Sequence, residues 1–206
     1  MSAVYRTIDA EAFGEIEEKR SRFLAVLRHV ESREEAEAFY EEIRKKHYSA
    51  RHNCTACVIG KDGEFLHSSD DGEPSGTAGR PMLDVLQGAG LTDVAAVVTR
   101  YFGGTLLGTG GLTRAYSSAV QEALNEARII EKTLRKKLQM TVAYDALGKL
   151  QHMFAQRQIP VLESEYGERV TMQVAVLPEE VENIKTAVAD ATAGQSDLEL
   201  LEWIWL

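Results

Sequence analysis

Apolar and polar positions alternate from Phe13 to Glu18 and again from Phe23 to Val30, which predicts two antiparallel strands, the first with one face toward water. Ser32 followed by Glu35 forms a capping-box pattern, and Ala36, Phe39, Tyr40 and Ile43 recur at helical spacing before the basic end at Lys45 and Lys46. That stretch predicts a helix whose charges suit its dipole. Asn53–Ile59 and Glu64–Ser68 flank Gly60-Lys-Asp-Gly63, the turn chemistry of a hairpin. Pro81 suits the opening of a helix over Met82–Gln87. Val94–Thr99 is a continuous apolar run that predicts a central strand, and Leu112–Ala127 has helical spacing.

A charged connector at Glu131–Lys137 marks a break in composition. Beyond it the pattern predicts a strand at Leu138–Tyr144, a helix at Asp145–Gln156 capped by Asp145, and strands at Pro160–Tyr166 and Val170–Leu177. A helix from Pro178 to Ala191 and a strand at Leu198–Leu206 complete the set. The order β-α-β-β-α-β is that of a ferredoxin-like unit. The expected organisation is an N-terminal domain over 1–132 and a C-terminal ferredoxin-like domain over 133–206.

Two loops of the first domain stand out, each directly before a helix. Residues 98–116 read VTRYFGGTLLGTGGLTRAY, with glycines at 103, 104, 108, 110 and 111 between Arg100 and Arg114. Backbone that lacks side-chain bulk and enters a helix offers unpaired N–H groups at the positive end of the helix dipole, which suits phosphate or carboxylate. A Walker-type loop is excluded, because no lysine lies between Thr99 and Ser118. The dinucleotide fingerprint is disfavoured, because Gly108-Thr-Gly110-Gly111-Leu-Thr113 lacks its third glycine. The second loop, Ser69–Arg80, carries Asp70, Asp71 and Glu73 and almost no bulky apolar side chain. These carboxylates either face the glycines across a cleft, which would favour a metal-assisted site, or pair with the arginines and make a rigid surface.

The chain has 206 residues and a formal charge of −9, which argues against indiscriminate nucleic-acid binding. From Val94 to Gln121, however, there is no acid, and Arg44-Lys-Lys46 and Arg135-Lys-Lys137 are locally basic. A modest cationic face on an acidic body is compatible with this. Cys54 and Cys57 lie in a strand-like run, where residues three apart face opposite sides. They are therefore expected to be buried and reduced, with no metal site. No apolar run suggests a signal peptide or a membrane span, so the expected location is cytoplasmic, without membrane attachment.

The pairing of DDGEPSGTAGRP at 70–81 with VVTRYFGGTLLGTGGLTRAY at 97–116 strongly resembles the IMPACT family in its bacterial branch. Ser21-Arg22-Phe23 and His52-Asn-Cys54 extend the likeness through most of 15–127. The resemblance implies an α+β protein: a ribosomal-protein-S5-domain-2-like N-terminal domain and a ferredoxin-like C-terminal one. It also implies contact with RNA or the ribosome. Eukaryotic members of the family regulate translation and bind a protein partner through an additional domain that this chain lacks, so that particular partner does not carry over.

The preferred reading is a cytoplasmic regulator of translation that binds RNA or a ribosome-associated partner, with a protein partner of the translation machinery also open. Arg80, Arg100 and Arg114 would grip phosphates, amides of Gly103, Gly104, Gly110 and Gly111 would close around an anion, and Tyr101 or Phe102 would offer a stacking face. No cofactor, catalytic residue or metal is assigned. A small-molecule phosphate-handling enzyme, with kinase-like use of the glycine-rich loop and Mg²⁺ on Asp70, Asp71 and Glu73, remains the alternative, with His52 and His67 as possible bases. A protein-interaction module is the third.

Overall fold

The computed structural model describes residues 4–206, and the chain divides into two compact units after Glu131. The first contains β1 (Val4–Ile8), β2 (Ala12–Glu18), β3 (Ser21–His29), α1 (Arg33–Lys46), β4 (His52–Ile59), β5 (Phe65–Ser69), α2 (Gly79–Gly88), β6 (Val94–Tyr101) and α3 (Gly108–Glu126). Strands β2 to β6 form an antiparallel sheet in the order β2-β3-β6-β4-β5. The apolar run at 94–99 takes the middle, where strands on both sides bury it.

Alternation along β6 separates two cores. Val94, Ala96 and Val98 join α2 and α3 residues such as Met82, Leu86, Leu112 and Tyr116, while Ala95 and Val97 join Phe39, Tyr40 and Ile43 of α1. The sheet is thus sandwiched between α1 on one face and α2 with α3 on the other. Each large apolar side chain removed from water this way stabilises the unit by about 1.5–3 kcal/mol. The capping pattern is realised with a small shift: Ser32 Oγ accepts from the Glu35 N–H at 3.1 Å, and the Glu35 carboxylate reaches back to the N–H of Glu31 at 2.7 Å.

The two cysteines diverge as alternation requires. Cys54 belongs to the core under α2 and α3, Cys57 to the core under α1, and both are free thiols. Burial pushes the Cys54 thiol up to about 12, and burial also raises Cys57. Neither supplies a thiolate at neutral pH, which a nucleophile or a metal ligand would need.

The second unit holds most of β7 (Ile129–Val142), which begins just before the division, then α4 (Tyr144–Gln156), β8 (Val161–Tyr166), β9 (Val170–Val176), α5 (Val181–Ala191) and β10 (Asp197–Trp205). A single 3₁₀ turn at Pro178–Glu180 leads into α5. The antiparallel order β10-β7-β9-β8, with α4 and α5 packed on one face, is the ferredoxin-like arrangement. Two details differ from the sequence-based expectation. The charged stretch 131–137 is not a connector but the first half of β7, where Lys137 pairs with Glu202 at 3.2 Å and Lys136 lies 4.9 Å from the Trp203 ring. Asp145 sits exposed in the first turn of α4, and the cap position is Ala143. The protein is α+β, an S5-domain-2-like domain followed by a ferredoxin-like one. Among the described residues no helix is long and apolar enough to cross a membrane.

Candidate functional site

The acidic loop between β5 and α2 is built around Asp70. Its Oδ1 accepts from the backbone N–H groups of Ala78 and Gly79 at 3.0 and 2.8 Å, and its Oδ2 from Gly76 at 2.8 Å. Ala78, at the cap position of α2, has no side-chain acceptor of its own. Asp70 therefore satisfies orphan donors at a helix start from eight residues upstream. Partial burial works against its charge, but the three N–H donors outweigh that and hold its carboxyl below the usual carboxylate range.

The folded-state value is depressed, so the stabilisation is fully present above the unfolded value, near about 4, and is lost as pH falls through the folded one. Asp70→Ala should cost about 2 kcal/mol at neutral pH through loss of the cap and its bonds. The gap in melting temperature between variant and wild type should narrow as pH drops below that range. A gap independent of pH would show that the charge contributes nothing.

Asp71 adopts a left-handed conformation with φ of 41°, accepts the Asn53 N–H at 2.6 Å, and offers its carbonyl to His52 Nδ1 at 2.9 Å. A carbonyl only accepts, so Nδ1 carries the proton, and in the neutral ring Nε2 is left as an acceptor. Glu73 is buried. Its Oε1 accepts from Arg100 Nη1 at 2.7 Å and from the Tyr116 hydroxyl at 2.8 Å, both charged side chains being more than nine-tenths buried. Burial holds the Tyr116 hydroxyl protonated far above its ordinary range, which keeps it a donor.

Arg100 enters this pair from the C-terminal end of β6, directly across from Phe23 on β3 and His52 on β4. Its guanidinium lies 5.5 Å from the Phe23 ring and 5.6 Å from that of Phe102. Nη1 is spent on Glu73, and Nε is buried without a hydrogen-bond partner. Unpaired buried donors are rare because each forfeits its hydration without compensation.

These groups open onto a cavity of about 430 Å³. Arg51, His52, Glu73 and Arg100 provide its polar wall, and Pro74, Phe102, Leu106, Leu107 and Leu112 its apolar one. Gly108 and Thr109 complete the lining as the first two residues of α3. The cap position, Leu107, offers no side-chain acceptor, and no acid lies in the first turn. A helix of 19 residues thus starts at the cavity with uncompensated N–H groups. Gly108 has φ of +71°, a left-handed turn that brings the chain from the loop into the helix.

Of the residues singled out from sequence, the cavity gathers His52, Glu73, Arg100, Phe102 and Gly108. Tyr101 bonds His47 Nδ1 at 2.9 Å, and Arg80 pairs with Asp84 one turn along its own helix at 2.7 Å. Arg114 is exposed in the second turn of α3, and Gly103, Gly104, Gly110 and Gly111 do not line the cavity. Asp70 is committed to the backbone N–H groups of its own loop and the start of α2, and Asp71 to the N–H of Asn53 on β4. Among the described residues no group of three or more His, Cys, Asp or Glu side chains is arranged to hold a metal ion. Pro74, Leu106 and Leu107 lie within the two loop motifs but were not picked out individually, and Arg51, directly before β4, carried no signal in the sequence.

A two-domain α+β protein whose two unusual loops close around one cationic cavity is the class that the geometry defines. Residues 19–124 match the Impact N-terminal domain, and 140–195 match a domain of unknown function, DUF1949. The chain belongs to the IMPACT family. It is 40% identical over 202 residues to IMPACT family member YvyE of Bacillus subtilis (strain 168), covering 98% of this chain and 93% of that one. It is 39% identical over 186 residues to IMPACT family member YigZ of Escherichia coli (strain K12), covering 89% and 91%. A solved structure described as the crystal structure of an hypothetical protein aligns with a TM-score of 0.68 at 37% identity, covering 98% of this chain and 99% of that one.

Proposed function

We propose that the protein is a cytoplasmic regulator of translation that binds RNA or a ribosome-associated partner, and that the cavity beside Arg100 is its phosphate grip. The observation that carries this reading is the meeting of an uncapped helix start with a buried guanidinium that has a donor to spare. Both favour an anion, and the α3 segment from Gly108 to Gln121 brings no carboxylate to oppose one. Membership of the IMPACT family supports the connection with translation. In the second unit, the sheet face turned away from the helices carries Gln139, Thr141, Thr171, Gln173, Glu163 and Glu165, with no aromatic in those positions to stack on a base. That lack of a stacking platform supports a nucleic-acid contact in the first unit.

The kinase-like alternative needs carboxylates for Mg²⁺, and here Asp70 and Asp71 hold backbone while Glu73 neutralises Arg100. Among the described residues all three carboxylates are thus engaged by protein donors.

The test is RNA binding measured across a salt series, together with co-sedimentation with ribosomes. Arg51 and Arg114 are exposed and make no ion pair among the described residues, so Arg51→Glu and Arg114→Glu report on phosphate contact without breaking the buried pair. Each lost contact should flatten the slope of log affinity against log salt by about 0.7 for single strands. Binding that ignores salt, or that is the same in both variants as in wild type, would reject the reading. A complex with a ribosomal fraction that survives RNase would instead point to a protein partner.

A further inference from the structure

We propose that the cavity takes one nucleotide as a phosphomonoester, with its phosphate on the start of α3 and Arg100 and its base against Phe102. This rests on the reading of the cavity as a phosphate grip. It adds that the ligand is a terminal unit, either a free nucleoside monophosphate or the phosphorylated end of an RNA.

Two independent observations call for an anion here. The first turn of α3 is uncapped and free of acids. Separately, Arg100, with a side chain only 7% exposed, lines the same space, and while its Nη1 holds Glu73 its Nη2 has no hydrogen-bond partner among the described residues. A phosphate at that position would receive backbone N–H bonds and a charge-assisted bond from the guanidinium. Exposed Arg51 stands at the same cavity as a further cation. The charges of Arg51, Arg100 and Glu73 leave the lining cationic.

The rest of the lining fits a nucleoside rather than a bare anion. Phe102 is 52% exposed and Leu106 83%, an apolar wall that an inorganic ion would not use. The wall also presents acceptors: His52 Nε2 in the neutral ring, and Glu73 Oε2, which has no hydrogen-bond partner among the described residues. Ribose hydroxyls and exocyclic amines are donors that match them. Base stacking on an exposed aromatic tolerates any base, which suits recognition of an end over recognition of a sequence.

Size selects the unit. At about 430 Å³, the cavity lies toward the small end of ligand sites, which run about 300–1,000 Å³. One nucleotide fits that space.

The experiment is calorimetric titration of the full chain with 5′-AMP, adenosine and inorganic phosphate, alongside hexaribonucleotides that differ only in a 5′-phosphate. The variant is Thr109→Asp. It places a carboxylate in the first turn of α3, where an acid favours the helix, so its melting temperature should not fall while anion binding does. The expected result is that AMP binds at least tenfold more tightly than either adenosine or phosphate, and that Thr109→Asp loses at least tenfold for AMP.

Competition by the 5′-phosphorylated hexamer over its 5′-hydroxyl counterpart would assign the RNA end, and its absence would assign the free nucleotide. Equal binding of AMP and adenosine, no binding of AMP, or unchanged AMP binding by a folded Thr109→Asp protein would overturn the proposal. RNA binding that is salt-dependent yet indifferent to AMP and to the 5′-phosphate would overturn it while leaving the phosphate-grip reading intact. AMP binding without any RNA or ribosome association would keep the proposal and overturn the reading of the protein as a regulator of translation.

Discussion

Arg100→Ala should lower stability by about 3–5 kcal/mol, because it strands the Glu73 carboxylate in a site from which water is largely excluded. Both side chains are more than nine-tenths buried, and among the described residues the 2.7 Å bond between them is reinforced only by the Tyr116 hydroxyl. Removal of the cation leaves Tyr116 as the remaining donor to a buried negative charge. For a chain of this size the loss corresponds to a drop in melting temperature on the order of 10 °C.

A second substitution at Glu73 should rescue. Adding Glu73→Leu to Arg100→Met removes both charges and substitutes apolar volume, so the double variant should be well above either single one in stability. Denaturant titration of the four proteins gives the coupling energy directly. Additive effects in that cycle would mean that the pair is not an energetic unit. The result also bears on any binding assay that uses Arg100→Ala, since a loss of RNA binding there could reflect unfolding. The exposed Arg51 and Arg114 avoid that ambiguity.

The second large effect is expected at Gly103. A Cβ on this residue would run into the backbone of Arg20 and Ser21 at the β2–β3 turn. Its N–H also bonds Ser21 Oγ at 3.1 Å. Backbone obstacles cannot rotate away as a side chain can, so Gly103→Ala must displace either the hairpin end or the segment leading from β6 to α3. Overpacking of this kind costs about 1–3 kcal/mol and sometimes more, and this site belongs at the top of that range. Gly104→Ala meets no atom within 4 Å and differs only in requiring a backbone φ of +87°. It should cost about 1 kcal/mol. Thermal melts of the two variants compare obstruction with conformational strain, and equal losses would show that close approach at Gly103 is not what selects glycine there.

Gly103 also illustrates how far the sequence could be read. Its amide was a candidate for holding an anion, and the structure commits it to Ser21, a residue 82 positions away. The pairings of α1 with its cap, of β4 with β5, and of the two cysteines with opposite faces were all legible, since each depends on periodicity or turn chemistry within a few residues. The burial of Arg100 was partly legible too. It shares strand parity with Val98 and Ala96, which face the core beneath α3, but its charge concealed the pattern. The charge of 131–137 concealed a strand in the same way, because Glu202 and Trp203, the partners that make those lysines acceptable in a sheet, arrive from some 65 residues later.

The sequence alone determined the two-domain α+β organisation and pointed to both loops, because hydrophobic spacing and glycine or proline placement act locally. Only the tertiary structure decided what the loops do with their charges. Sheet register sets Arg100 beside His52, and loop closure gives Arg100 to Glu73 across 27 residues while Asp70 turns to backbone. Which carboxylate neutralises which cation depends on distances in space, and with that choice made, the Arg100 guanidinium and a bare helix start are left at one cavity.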